Sequence, residues 1–211
     1  MNIDWGDTGA MLQGLGTLFG AGAVVYAAKK GADTFGAWKK QKLTERKLDH
    51  AERILIATYK AREALSYVRG IMMWGHELEV AERKLKEDAR QWAQQPEHRQ
   101  KRLVTAQAYY NRLSKTKPDR EELFNCLPMA GALFDAQLQN ALSEPHKQFW
   151  LVELDVDAYI DDNELDVEFS KKIRRGMYDV SPREGEQNDI STAIVKAVDT
   201  IETYCLPVLR E

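Results

Sequence analysis

The sequence predicts an all-α protein: one N-terminal transmembrane helix followed by a cytoplasmic antiparallel helical bundle built on a long helix over about residues 38–95. Three observations predict it. Residues 8–28 contain no Asp, Glu, Lys, Arg or His and end abruptly at Lys29 and Lys30. Apolar residues after Trp38 recur at three-four spacing, the period of a helix buried on one face. Pro and Gly then divide the rest into segments of helical length, with no internal repeat of fixed period.

The uncharged run passes through Met11, Leu12, Leu15, Leu18, Phe19, Val24, Val25 and Tyr26. A hydrocarbon core of about 30 Å needs about 20 mainly apolar helical residues, which this run supplies. Gly9, Gly14, Gly16, Gly20, Gly22 and Gln13 weaken it, and a Gly/Ala-rich helix buried in a soluble oligomer is the competing reading. A secretory signal needs a basic n-region, whereas residues 1–7 carry Asp4 and Asp7 and no base. Lys29, Lys30, Lys39, Lys40, Lys42, Arg46 and Lys47 outweigh Asp33 and Glu45 beyond the run. Such an inner-leaflet basic collar places the N-terminus outside and the C-terminal domain in the cytoplasm, at an inner membrane. Trp5 and Tyr26 suit the interfaces, and Phe35 and Trp38 extend the inner belt or begin the soluble core. The expected division is a 1–30 anchor and a 31–211 helical domain.

Within the run, Gly9, Gln13, Gly16, Gly20, Ala23 and Ala27 fall on one helical stripe. Small residues let helix backbones approach in lipid, and an aligned polar side chain can bond a symmetry mate. The stripe predicts a transmembrane oligomerisation face and a homo-oligomer.

Past the anchor, Gly31 and Gly36 flank Asp33 and Thr34 and suggest a break. The long helix then presents Ala51, Leu55, Thr58, Leu65, Val68 and Met72, and on a drifted stripe Trp74, Leu78, Ala81, Leu85 and Trp92. Gly70 and Gly75 bracket a bend. Gln95-Pro96 ends it, and a short connection makes the next helix, to about Lys115, its antiparallel neighbour. Pro118 opens another helix, Pro128 interrupts it, and a further one through Leu138 and Leu142 stops before Pro145. Residues 149–160 fit both strand alternation and a helical face. Helix is chosen, because an isolated strand would leave its backbone groups unpaired. Asp161-Asp162-Asn163 forms a turn before a helix over about 164–177. A polar loop over 181–188 precedes the last helix, from Asp189 to about Cys205, which Pro207 ends.

With 211 residues and a net charge of −3, the chain has room for one proper core and no global field that favours nucleic acid. Its two cysteines, Cys126 and Cys205, lack metal or redox spacing and suit a reducing compartment. The four histidines, His50, His76, His98 and His146, are scattered. No phosphate loop, nucleophile elbow or His-Glu-x-x-His occurs. The acidic residues from Glu153 to Glu168 fail the calcium-loop template, since Ile160 stands where its glycine belongs. Arg99, Lys101, Arg102, Arg112, Lys115, Lys117 and Arg120 surround Tyr109 and Tyr110. This is a basic helix that faces water or the acidic segment, rather than a nucleic-acid surface.

The expectation is therefore no catalytic residue, no metal and no cofactor. The chain reads as a membrane-anchored, self-associating helical scaffold or adaptor that binds another protein. A pore-forming or pore-gating membrane effector is the alternative reading. An enzyme assembled from scattered residues is the third.

Overall fold

A computed structural model describes residues 5–88, 92–179 and 188–210; the side chains of residues 5–16, Leu18 and Asp88 lie outside that description. The described residues are helical, without a strand. The helices are α1 (Trp5–Val68), α2 (Gly75–Asp88), α3 (Glu97–Lys115), α4 (Lys117–Phe124), α5 (Leu127–Leu133), α6 (Ala136–Asp161), α7 (Val167–Met177) and α8 (Asp189–Arg210), with a 3-10 turn at Trp92–Gln94. The chain divides into two units, Met1–Arg46 and Lys47–Glu211, and α1 contributes to both.

In the first unit every described side chain is exposed, from Thr17 and Phe19 to Arg46. The break expected at Gly31 to Gly36 is absent, because α1 is continuous there. Thr34 Oγ1 donates to the Lys30 carbonyl at 2.8 Å, so its hydroxyl is satisfied on the helix itself rather than capping a new one. Among the described residues no helix is long and apolar enough to cross a membrane, so the span expected over 8–28 has no support from them. Much of that run, Gly9, Gln13 and Gly16 included, has no described side chain.

The second unit is built on the last turns of α1. Ala51, Ile54, Leu55, Thr58, Ala61, Leu65 and Val68 are buried at three-four spacing. They enter two apolar clusters. In one, Leu65 and Val68 join Tyr109 and Leu113 of α3, Phe149, Val152 and Val156 of α6, Ile173 and Met177 of α7, and Ile190 and Ile194 of α8. In the other, Ala51, Ile54 and Ala57 join Leu123 and Cys126, Ala130 of α5, Leu138 and Leu142 of α6, and Ile201 and Cys205 of α8. Helices α1, α6 and α8 thus run through both clusters. Helices α3 and α7 close one, and α4 and α5 close the other.

The two prolines expected to end helices lie inside them, Pro145 in α6 and Pro207 in α8. An internal proline costs about 3 kcal/mol. Leu138 and Leu142 before Pro145, and Phe149, Val152 and Val156 after it, are each at most 1% exposed, so one continuous stripe outweighs that cost. The same stripe makes 149–160 helical, as chosen over strand. Helix starts follow side-chain chemistry. Asp135 Oδ1 accepts from Leu138 N at 2.9 Å. Asp166 Oδ1 accepts from the amides of Glu168 and Phe169.

The single long helix expected over 38–95 is in fact two, α1 and α2, separated by residues 69–74. Two buried arginines hold this break. Arg112, from α3, donates to the carbonyls of Gly70 and Met72 at 2.7 Å each and to Tyr67 O at 3.3 Å. Its other edge grips Glu77 of α2, Nε to Oε1 at 3.0 Å and Nη2 to Oε2 at 2.7 Å. Arg69 is 1% exposed. It donates to the carbonyls of Arg175, Gly176 and Tyr178, where α7 ends, and to Asn188 Oδ1 and Ser191 Oγ, where α8 begins. Orphan carbonyls at two helix ends are thereby satisfied by guanidinium groups.

Bonding to Arg112 holds the Glu77 carboxyl down at about 2, against 4.5 for the free group. A depressed carboxyl stabilises the fold above pH 4.5, and that stabilisation is lost as pH falls toward 2. Arg112→Met leaves a buried carboxylate and several carbonyls unpaired and should cost about 3–5 kcal/mol in urea unfolding. In Glu77→Gln the acid limb of the stability profile between pH 4.5 and 2 should flatten. A wild-type acid limb in Glu77→Gln would remove this assignment.

Candidate functional site

Three surfaces compete for a functional role: the exposed first unit, the α3 face with the acidic turn, and the grooves beside α8. Each is built differently from the sequence expectation.

In the first unit, Gly20, Ala23 and Ala27 are exposed, and a Cβ added at Gly20 would meet nothing within 4 Å. Gly9, Gln13 and Gly16, the rest of the stripe, lie outside the described side chains. The collar bases Lys29, Lys30, Lys39, Lys40, Lys42 and Arg46 are exposed. Lys30 Nζ sits 6.0 Å from the Tyr26 ring centre, and Lys42 pairs with Glu45 at 2.6 Å. Such exposed pairs contribute little. Lys47, the last collar base, belongs to the second unit and lies over the Phe134 ring at 5.9 Å. Phe19, Val24, Val25 and Tyr26 are 64–77% exposed. At about 100° per residue Phe19 and Tyr26 share one side of the helix, and Val24 and Val25 point to two others.

The basic residues of α3 divide by partner. Arg99 pairs with Asp161 at 2.9 Å, and Arg102 with Glu164 at 3.1 Å. Tyr110 donates to Asp157. Burial first, then that bond, pushes the Tyr110 phenol up. Tyr109 is fully buried. The face that could have read nucleic acid therefore turns toward α6 and the acidic turn that follows it. Glu164 occupies a left-handed backbone position at φ 59°. Its carboxylate accepts from Arg102 and from Arg174 of α7. The acidic segment is an internal clasp. Among the described residues no group of three or more His, Cys, Asp or Glu is placed to hold a metal ion.

Several open grooves adjoin α8. One, about 590 Å³, runs past Ser191, Val195, Asp199, Thr203 and Tyr204 to Gln137. A second, about 400 Å³, lies between α6, α7 and the start of α8, and contains Asp155, Lys172, Asn188 and Ile190. The polar loop expected over 181–188 lies outside the described residues except for Asn188. Asn188 Oδ1 accepts from Ser191 N, and its Nδ2 donates to the carbonyls of Arg175 and Tyr178.

The chemistry these groups offer is limited. Both thiols are buried. Burial raises Cys126 and pushes Cys205 to about 12, so neither is a thiolate nucleophile near neutral pH. Asp155 is a perturbed carboxyl in a groove: burial pushes it to about 6, against the pull of Lys172 and Arg69. It lies against Gly176, where an added Cβ would stand 1.6 Å from Asp155 Oδ2. Sequence reasoning missed Arg69, Arg112, Asp155 and Asn188. The signal for Arg69 was its place directly after Val68 on the buried stripe, and for Gly176 its place inside an amphipathic helix. No protein-family model, curated protein or solved structure matches this chain.

A raised carboxyl favours its neutral form in the folded state. The benefit is complete below pH 3.8 and is lost as pH rises from there through 6. Asp155→Asn keeps the neutral shape. It should raise stability at pH 7 and above by on the order of 1–3 kcal/mol, with the gain vanishing below pH 4. Equal or lower stability than wild type at pH 8 in thermal unfolding would show that Asp155 is comfortably ionised.

Proposed function

We propose that the chain is a single-pass, membrane-anchored helical scaffold. Its first unit sits in the inner membrane with the N-terminus outside, and its second presents a cytoplasmic surface to another protein. The observation that carries the reading is the all-round exposure of Phe19, Val24, Val25 and Tyr26 in a run without charge. A helix at a protein surface needs one apolar stripe. A helix apolar on every side needs an apolar surrounding on every side, which lipid supplies. The bases that follow supply the inward charge bias.

The scaffold reading is preferred to an enzyme because most buried polar groups of the second unit are engaged with one another, His50 Nδ1 and Arg120 Nε apart. Arg69, Arg112 and Asn188 cap helix ends or close ion pairs. Burial raises both thiols away from the thiolate form. Self-association belongs to the same reading. The stripe Gly9, Gln13, Gly16, Gly20, Ala23 and Ala27 would allow close packing, with Gln13 bonding a symmetry mate at about 1 kcal/mol.

Fractionation tests the anchor. The protein should pellet with inner membranes and resist carbonate and high salt. A cysteine introduced at Asn2 should react with an impermeant reagent from outside, while one introduced at the exposed Lys171 stays unlabelled until the membrane is opened. Recovery of the protein in the soluble fraction would end the reading. Gly16→Leu with Gly20→Leu should then reduce crosslinked oligomers, and bulky changes at Leu15 and Leu18 should do so much less. Ion leakage from reconstituted liposomes would move the assignment to a pore-forming effector.

A further inference from the structure

Helix α7 rests on its neighbours through one stripe. Its buried residues are Ser170, Ile173, Gly176 and Met177, at three-four spacing. Where Gly176 meets α6, a Cβ added to it would stand 1.6 Å from Asp155 Oδ2 and 2.6 Å from Asp155 Cγ. The Asp155 carboxyl thus takes the place of the side chain that Gly176 lacks. Val152 and Val156, beside it on α6, are fully buried. The charges around the carboxyl come from three elements. Arg69, just past α1, and Lys172 of α7 attract it. Glu168 and Arg175 of α7 and Asp189 of α8 line the same groove of about 400 Å³. Among the described residues none donates it a hydrogen bond, burial outweighs the two cations, and the group is pushed up to about 6.

We propose that Asp155 is a proton-operated latch between α6 and α7: protonated, it lets the Gly176 turn of α7 close on α6, and ionised, it loosens that turn. The latch lies within the second unit and stands independently of the membrane anchor. A neutral carboxyl rests against a neighbouring backbone at little cost. A carboxylate in the same place gives up water and gains no donor in return. It recovers that water when α7 lifts, because Asp155 then faces solvent. The motion is local, since α7 has 11 residues and packs chiefly on α6. The bonds from Arg69 to the Arg175, Gly176 and Tyr178 carbonyls pull α7 back when the carboxyl is neutral. With the ordinary value of 3.8 in the open state and about 6 in the closed one, closure is favoured fully below pH 3.8, and that preference is lost as pH rises through 6. The opening equilibrium therefore rises by on the order of fiftyfold between pH 4 and pH 8.

The test is native-state hydrogen exchange on the full chain in mild detergent, at low denaturant and from pH 4 to pH 8, with rates corrected for the intrinsic pH dependence of amide exchange. The amides of Ile173 to Met177 should exchange through an opening that scarcely depends on denaturant, and that opening should grow by on the order of fiftyfold across the range. In Asp155→Asn it should stay near the wild-type acid value at every pH. Lys172 is exposed, and Lys172→Gln removes one attraction to the carboxylate, so the midpoint of the pH dependence should move to higher pH. If the α7 amides show the same denaturant dependence as the core amides of Ala57 and Ala61, α7 opens only when the whole unit unfolds, and the latch is overturned. A wild-type pH dependence in Asp155→Asn, or an unmoved midpoint in Lys172→Gln, assigns the titration to another group and also overturns it.

Discussion

The fold of the second unit depends on how α1 ends. Val68 is fully buried, and the chain must leave the helix there without stranding its last carbonyls in an apolar core. The Val68 carbonyl is buried and its neighbours are part-buried, and no glycine in a left-handed conformation completes a backbone cap. Two guanidinium groups act instead. Arg112 reaches the carbonyls of Tyr67, Val68, Gly70 and Met72 while its charge is balanced by Glu77. Arg69 turns the opposite way and caps α7, with Asn188 fixing the start of α8 against the same carbonyls. Arginine suits this role because its planar fork offers five donors and stays charged when buried. Lysine at either site would supply three donors on one atom and could not span two helix ends.

This arrangement explains which parts of the sequence could be read. Helical periodicity identified the helices because most stability of a packed helix comes from one apolar stripe, and the stripe is written in residue types. Helix boundaries were harder. Pro145 and Pro207 looked like stops because their local cost is known, while the burial that overrides it is a property of α6 and α8 packed on α1. The reverse error occurred at residues 69–74. Gly70 and Gly75 hinted at a bend, but the break needs Arg112, which is far along the chain. A buried arginine has no sequence signature of its own, because the same residue type usually marks a solvated face. Arg99 and Arg102 are the contrasting case: they pair with Asp161 and Glu164 of the acidic segment, one of the two orientations expected for the basic helix.

The same logic bears on function. A binding or catalytic site leaves polar groups partly unsatisfied until a ligand arrives, or carries carboxyls and thiols shifted toward reactivity. In the second unit the strongly buried polar groups mostly cap helices. The two thiols are shifted away from the reactive form. Asp155 is the exception, and its nearest structural relation is the missing side chain of Gly176 rather than a reacting partner. Such a unit is suited to present a rigid surface.

The first unit poses the opposite problem. Gly20, Gly22, Gly31 and Gly36 all lie in α1, and each glycine costs about 1 kcal/mol relative to alanine in a helix exposed to water. None of the described side chains there is buried by this chain. Helices in water that lack tertiary packing are marginal even with good helix formers. Among the described residues, burial against this chain therefore does not stabilise this helix. Under the membrane-anchored reading proposed above, hydrocarbon would surround the helix, forbid unpaired backbone groups and so enforce helical bonding even through glycine. The glycines would then be no handicap, and they would allow close helix packing where lipid tails would otherwise fill the space.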